Sequence, residues 1–164
     1  MHGKDKVEDG AMRLISQCTA AVIAMLLVLG PVSAGETVSY NGSGTYTAQK
    51  LTMTLGNGDV VFTAWNEGMA TISTDPPILL FGRCMGLGML DMTDAYSVDV
   101  YCTFRANDED SFDVKARSGT DGGQGEVIGG SGRWAGATGA IRMTRTSEEE
   151  HSGTYTFEIE LTTP

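Results

Sequence analysis

The sequence predicts an all-β protein, a single antiparallel β-barrel of about eight strands after an N-terminal signal peptide. Glycine occupies 22 of the 164 positions, about twice its usual share of roughly 7%. The glycines separate runs of Thr, Val, Tyr, Phe and Ile, a composition that is typical of strands joined by turns. Apolar and polar residues alternate within several runs, which gives each strand one face for a core and one for water.

The first 34 residues are predicted to be a signal peptide. Basic residues, the last of them Arg13, precede an uncharged and mostly apolar run at residues 19–29. Val32–Ala34 then offers the small residues that a signal peptidase recognises. The apolar run is shorter than the roughly 20 residues needed to cross a bilayer, and a buried core helix is the alternative. The polar prefix also leaves Met12 open as the true start.

Residues 35–164 are predicted to form one exported domain, either periplasmic or secreted. Charges in the leader cancel, so this domain keeps the formal net charge of −10. Such a surface repels phosphate backbones and anionic lipids. We therefore expect no nucleic-acid partner and no membrane association after signal cleavage, while the oligomeric state is left open.

Two of the three cysteines, Cys84 and Cys102, lie outside the leader. In an oxidising compartment an isolated pair most simply forms a disulfide, and closing this loop would stabilise the fold by roughly 3 kcal/mol. Two buried thiols are the alternative. The pair lacks the C-x-x-C spacing of a zinc site.

Alternation with a period of two marks three strands most clearly. Their apolar faces are Tyr155, Phe157, Ile159 and Leu161; Val98, Val100, Cys102 and Phe104; and Phe112, Val114 and Ala116. Turn signals bound further predicted strands at residues 45–55, 60–65, 69–74, 78–84, 126–129 and 140–146. Residues 118–125 are predicted to be a flexible loop. Eight or nine such strands form a barrel or a sandwich, and we favour the barrel because closure removes exposed edges.

The segment Gly129–Gly139, GGSGRWAGATG, is the most specific motif of the chain. It resembles the glycine signature of small exported bacterial proteins with an allene-oxide-cyclase-like barrel, related in shape to dirigent proteins and other calycin-type barrels. Cys84–Gly86, Tyr101–Cys102 and Asp108–Asp110 resemble further parts of the same pattern. The resemblance runs from Cys84 to Leu161 and implies the barrel fold, but no catalytic residue is carried over and no specific activity is implied.

The same motif also fits the spacing G-x-G-x-x-A at Gly130, Gly132 and Ala135. A dinucleotide site needs a helix that begins there and points its N-terminus at the phosphates. The glycines and strand-like residues that follow predict no helix, so neither a nucleotide nor another cofactor is predicted. We expect instead a tight crossover between two strands, with glycines at positive φ and Trp134 plugging one barrel end.

No constellation of residues predicts catalysis or metal binding. The contiguous run Asp108–Asp110 lacks the alternating oxygen ligands of a calcium loop and is predicted to be a solvated turn. His151, the only histidine outside the leader, follows three glutamates, and no nucleophile elbow accompanies it. A three-histidine zinc site is excluded by count.

Aromatic and methionine side chains are the remaining candidates, because an eight-stranded barrel either fills its interior or leaves room for one small ligand. The candidates for cavity lining are Trp65, Tyr101, Phe104 and Trp134, together with Tyr96, Met85, Met89 and Met92. The leading prediction is a non-enzymatic exported barrel that binds a small apolar molecule or acts as an interaction module. The alternative is a cofactor-free cyclase or isomerase that holds a reactive substrate in the cavity. A third prediction, a self-associating protein, requires a large exposed apolar patch.

Overall fold

Eight antiparallel strands close into one barrel in the computed structural model, which describes residues 35–92, 95–120 and 122–164. The strands are β1 (Glu36–Thr54), β2 (Val60–Ile72), β3 (Ile78–Leu90), β4 (Tyr96–Arg105), β5 (Ser111–Gly119), β6 (Gly122–Ser131), β7 (Thr138–Glu148) and β8 (Ser152–Thr163). Each strand pairs with its neighbours in sequence, and β8 pairs with β1 to complete the circle. The predicted all-β class and single barrel are confirmed. The predicted signal peptide lies outside the described residues.

β2 runs unbroken from Val60 to Ile72, although the sequence predicted a turn at residues 66–68. Asn66 and Gly68 take interior positions in the alternation, and Glu67 points outward. The three residues therefore continue the strand. A side chain at Gly68 would collide with the backbone of β1, so glycine permits the close approach of the two strands there.

Other predicted boundaries are also wrong. β1 begins at Glu36 rather than at residue 45, because β8 pairs with it along this additional length. Residues 118–119 and 122–125 belong to β5 and β6 instead of a flexible loop, with Gly119 opposite Gly122. In both cases cross-strand pairing extends the sheet through residues whose local composition is typical of turns.

One end of the barrel interior is filled with large apolar side chains, and we call it the filled end. The β2–β3, β4–β5 and β6–β7 connections border it. Phe112 and Trp134 pack edge to face, with ring centroids 5.2 Å apart and planes at 88°. Phe104 also stacks on Phe112, with ring centroids 5.2 Å apart. Other almost fully buried side chains of the same core include Ile72, Leu80, Ile159 and Leu161.

The glycine motif forms the crossover that closes the filled end. A 3₁₀ turn at Gly132–Trp134 joins β6 to β7, and it is the only helical element among the described residues. Gly132 and Gly136 adopt φ values of 57° and 70°, which favour glycine. Trp134 is buried between them. The predicted crossover with Trp134 as its plug is confirmed. The part of the chain that the structure describes holds no helix long and apolar enough to cross a membrane.

Asp110, in the β4–β5 turn, fastens this crossover to the barrel. Its carboxylate accepts a hydrogen bond from the backbone N–H of Arg133 at 2.9 Å and another from Arg133 Nε at 2.8 Å. Asn107 Nδ2 donates a third at 2.9 Å. The backbone bond, followed by those from the Asn107 and Arg133 side chains, lowers the pKa of Asp110. The predicted acidic turn thus has a structural role at the filled end.

Candidate functional site

The opposite end of the barrel interior contains a cavity of about 140 Å³, and we call it the open end. The β1–β2, β3–β4, β5–β6 and β7–β8 connections border it. A cavity of about 150 Å³ is large enough to hold benzene. The open end therefore has room for a ring-sized apolar group. The wall residues that matter most for its chemistry are Tyr46, Asn66, Tyr96, Phe104, Arg145 and Tyr155.

Small inward residues on β2 and β3 create this space. The cavity wall includes Ala64 and Asn66 of β2 and Gly82 and Gly86 of β3. An added Cβ at Gly82 would lie 2.8 Å from the ring of Phe104, so glycine allows that ring to lie directly against the strand. Larger residues at these inward positions would fill the interior, as they do at the filled end.

A disulfide joins Cys84 of β3 to Cys102 of β4 within the cavity wall. The two cysteines lie directly opposite each other in the strand register. The predicted disulfide is therefore confirmed, and the alternative of two free thiols is excluded. The bond covalently ties two strands that meet beside the cavity, and its sulfur atoms add soft, apolar surface to the wall.

Three tyrosines line the open end. The rings of Tyr46 and Tyr155 lie 6.2 Å apart, and Tyr96 belongs to the same wall. Burial raises the pKa of all three phenols, that of Tyr155 to about 12. Each phenol is therefore neutral at physiological pH and keeps a proton that it can donate in a hydrogen bond.

Arg145 of β7 lies at the mouth of the cavity. Its guanidinium carbon lies 5.3 Å from the centroid of the Tyr96 ring, within the range of a cation–π interaction. Its Nη1 donates to Glu148 Oε2 at 2.7 Å and to the Thr120 carbonyl at 3.2 Å. Arg145 thus links Tyr96, Thr120 and Glu148 at the mouth. Because Glu148 neutralises its charge, Arg145 does not present an unpaired cation to an anionic ligand.

Among the described residues, the buried amide oxygen of Asn66 has no hydrogen-bond partner, whereas the Tyr96 hydroxyl interacts with the Arg145 guanidinium. Both residues belong to the cavity wall. A buried polar atom without a partner costs about 1–3 kcal/mol. Asn66 thus brings to the wall an amide oxygen that can still accept a hydrogen bond. The open end thus combines apolar contact surface with latent hydrogen-bonding groups.

The predicted cavity residues divide between three places. Phe104 and Tyr96 line the cavity, whereas Trp134 is buried at the filled end. Trp65 and Tyr101 lie on the outer surface, so their predicted place in the lining is wrong. The physical reason is the alternation of side chains along a strand. The residues before and after each of these two point inward, so Trp65 and Tyr101 point outward. Met85, Met89 and Met92 are exposed as well.

The outward residues instead form an exposed apolar band across β1, β2, β3 and β4. Trp65, Met85 and Tyr101 lie opposite one another on successive strands, and Met85 is 69% exposed. We define the apolar band as Leu51, Met53, Trp65, Met69, Leu79, Phe81, Met85, Leu87, Met89 and Tyr101. Exposed apolar patches larger than a few hundred Å² are typical of interaction sites.

The other residues considered for chemistry lie away from the cavity's apolar wall or on the surface. His151 is exposed, with Nε2 3.6 Å from Glu150 Oε1. Asp108 and Glu109 are exposed in the β4–β5 turn. Within the described ranges, no group of three or more His, Cys, Asp or Glu residues is placed to hold a metal ion.

Comparison with known proteins identifies the architecture. Neither a family model nor a curated protein sequence matches this chain. A solved structure, that of the pterocarpan synthase dirigent protein GePTS1, matches with a TM-score of 0.56 and 10% sequence identity, over 83% of this chain and 96% of that chain. The fold is a dirigent-like β-barrel. At this identity the likeness extends to the fold alone, and membership of an exported bacterial family stays a prediction.

Several residues in the open end of the dirigent-like barrel were not predicted from the sequence, although the alternation of inward and outward positions contained a signal for them. Arg145 follows Ile141 and Met143 at the same two-residue spacing, and a charge at an inward position of a strand is unusual. Tyr46 likewise continues an alternating run in β1. Asn66 was assigned to a turn, because Asn-Glu-Gly is a typical turn sequence. The alternation thus points to these residues once the strand limits are known.

Proposed function

We propose that this dirigent-like barrel is an exported protein that binds one small, mostly apolar molecule in its open end without transforming it. The observation that carries the proposal is the cavity itself, since the same barrel is tightly packed at one end and leaves about 140 Å³ at the other. Its wall combines an apolar surface with a few polar groups, the usual composition of a small-molecule site. Export is supported by the disulfide, because such bonds persist in oxidising compartments.

The mouth favours a guest that is not an anion. Arg145 is already paired with Glu148, and Glu149 and Glu150 extend the acidic character of the rim. The whole chain carries a formal net charge of −10, which repels approaching anions at moderate salt. A neutral guest avoids both the repulsion and the cost of leaving a charge in an apolar interior.

Fluorescence titration with N-phenyl-1-naphthylamine, an uncharged apolar dye, tests the proposal. We expect saturable binding of one dye per barrel, and at least about tenfold weaker binding in Ala64→Leu, which places a larger side chain in the cavity. Thr63→Leu is the matched control, since the neighbouring residue points outward. Met85→Lys controls for dye on the apolar band. Unchanged binding in Ala64→Leu, or loss in Met85→Lys, would contradict the proposal.

A cofactor-free cyclase or isomerase is the second candidate, and the tyrosines of the cavity favour it. Tyr46 and Tyr155 are neutral donors beside an apolar space, and such groups can hold a reactive substrate in one conformer. An isomerase leaves the mass of its substrate unchanged. Native mass spectrometry followed by chromatography of the released guest should therefore give equal masses but different retention times for wild type and Tyr155→Phe. Identical guests in both proteins would favour binding alone.

A further inference from the structure

The apolar band differs from the remaining outer surface of the barrel in how few charged side chains it holds. Every outward residue of β3 is large and apolar except Arg83. Outward positions of β5, β7 and β8 instead hold charged residues, namely Asp113, Lys115, Arg117, Arg142, Glu158 and Glu160. These six charges cancel, and the excess of acid lies instead mainly in the connections at the two barrel ends, for example at Asp59, Asp75, Asp108, Glu109, Glu149 and Glu150.

A single ion pair lies within the band. Arg83 Nε is 2.9 Å from Glu67 Oε1, and the two residues are directly opposite in the β2–β3 register. Trp65 and Met69 flank Glu67 on β2, while Phe81 and Met85 flank Arg83 on β3. Both charged side chains are at least half exposed, so within one chain this pair adds little stability.

We propose that the apolar band binds a second copy of this chain around a two-fold axis, with Glu67 of each copy facing Arg83 of the other. A two-fold contact is self-complementary, since the same patch is used on both sides. The neighbouring Glu67 and Arg83 satisfy that requirement, because a two-fold rotation places Glu67 of one copy against Arg83 of the other. Each buried charge then has a partner on its own chain and one on the other chain.

A second copy fits the band better than other occupants do. Two chains of net charge −10 repel each other, but the repulsion is smallest where the facing surfaces are neutral. An anionic lipid surface is repelled by the rest of the barrel. A basic partner would find its complement in the acidic connections at the barrel ends, residues 108–110 and 149–150, rather than on the band. Interfaces between identical subunits are also more apolar than ordinary protein surface, as the band is.

The oligomeric state of the protein in solution tests this proposal directly. We expect twice the mass of one chain in light scattering coupled to size exclusion. Met85→Lys should raise the dimer dissociation constant by at least about tenfold, because the substitution places positive charge against an apolar partner. Thr156→Lys is the matched control, since it introduces the same charge at an outward position of β8. Circular dichroism verifies that both variants keep the barrel.

Charge reversal tests the predicted pairing of Glu67 with Arg83. Glu67→Arg and Arg83→Glu should each be monomeric alone, because like charges then face each other across the axis. A mixture of the two variants should form a heterodimer, visible by native mass spectrometry when one variant is isotope-labelled. The expected recovery distinguishes an interface from a fold defect, which mixing does not repair.

Three results would overturn the proposal. A monomeric wild type would show that the band has another role. A dimer that persists in Met85→Lys would place the interface elsewhere on the barrel. Reversal variants that dimerise alone, or fail to dimerise when mixed, would show that Glu67 and Arg83 do not face each other. All three outcomes are independent of guest binding in the open end.

Discussion

The filled end and the open end of the interior are built from the same eight strands, yet only one is packed. β2 illustrates the difference, because its inward residues Ala70 and Ile72 are almost fully buried while Ala64 borders the cavity. The backbone of the barrel is continuous between them. The contrast shows that the size of the inward side chain, rather than the sheet, decides where space is left for a guest.

The largest expected effect is a loss of stability on replacing a phenylalanine, and it should differ between the two ends. Phe112→Ala should lower the free energy of unfolding by about 3–5 kcal/mol, because the ring is enclosed by Phe104 and Trp134. Phe62→Ala should cost clearly less, since part of that ring faces the cavity. Urea denaturation of both variants measures the difference. Equal losses would mean that the open end is packed as tightly as the filled end.

The disulfide should compensate for missing packing at the open end. Replacing Cys84 and Cys102 by alanine should lower the free energy of unfolding by about 3 kcal/mol, because the unfolded chain gains conformational freedom. Chemical denaturation of the double variant, with wild type under non-reducing conditions as reference, provides the measurement. If the free energy of unfolding fell by less than the uncertainty of the method, backbone pairing of β3 with β4 would hold the two strands together without the disulfide.

Two alanines on the same face of β2 sharpen the comparison further. Ala70→Leu should lower the free energy of unfolding by about 1–3 kcal/mol, because it overpacks the filled end. Ala64→Leu should leave stability nearly unchanged, since the added atoms enter the cavity. Thermal unfolding of both proteins gives the test. A comparable loss in Ala64→Leu would indicate that the cavity collapses around smaller side chains.

The smallest expected effect concerns alkaline pH at the open end. The pKa of Tyr155 is raised to about 12, so its stabilising contribution is complete below pH 10, the ordinary value, and is lost as the pH rises towards 12. Ultraviolet titration should show a late step in which a phenol ionises near pH 12. Tyr155→Phe should lack this late step and lose less stability between pH 10 and 12. A titration identical to wild type would contradict the assignment.

Much of the fold could be predicted from local pattern. Alternation assigned the inward faces of β4, β5 and β8, and the glycine motif indicated both the crossover and the burial of Trp134. The same alternation already separated Tyr101 from Cys102 and Phe104. Assigning Tyr101 to the cavity because it is aromatic overrode that pattern, and for this reason the prediction was wrong.

The first and last residues of the strands were harder to predict than their inward faces, because turn-forming residues also occur within paired strands. Asn66, Glu67 and Gly68 form a typical turn sequence, but β1 and β3 hold them in extended pairing on both sides. Cross-strand hydrogen bonds and side-chain packing outweigh an intrinsic preference that spans only about 1 kcal/mol. A single sequence contains no record of which distant strand will provide those bonds.

By itself the sequence determined the all-β class, the inward sets of its clearest strands, the crossover and the cysteines able to pair. These properties depend on residue type and on a spacing of two, both of which are local. Only the tertiary structure decided which end stays open and that Asn66, Tyr96 and Arg145 share one wall. Closure of the barrel brings β2, β4 and β7 around one space, and that closure depends on pairing between residues distant in the chain.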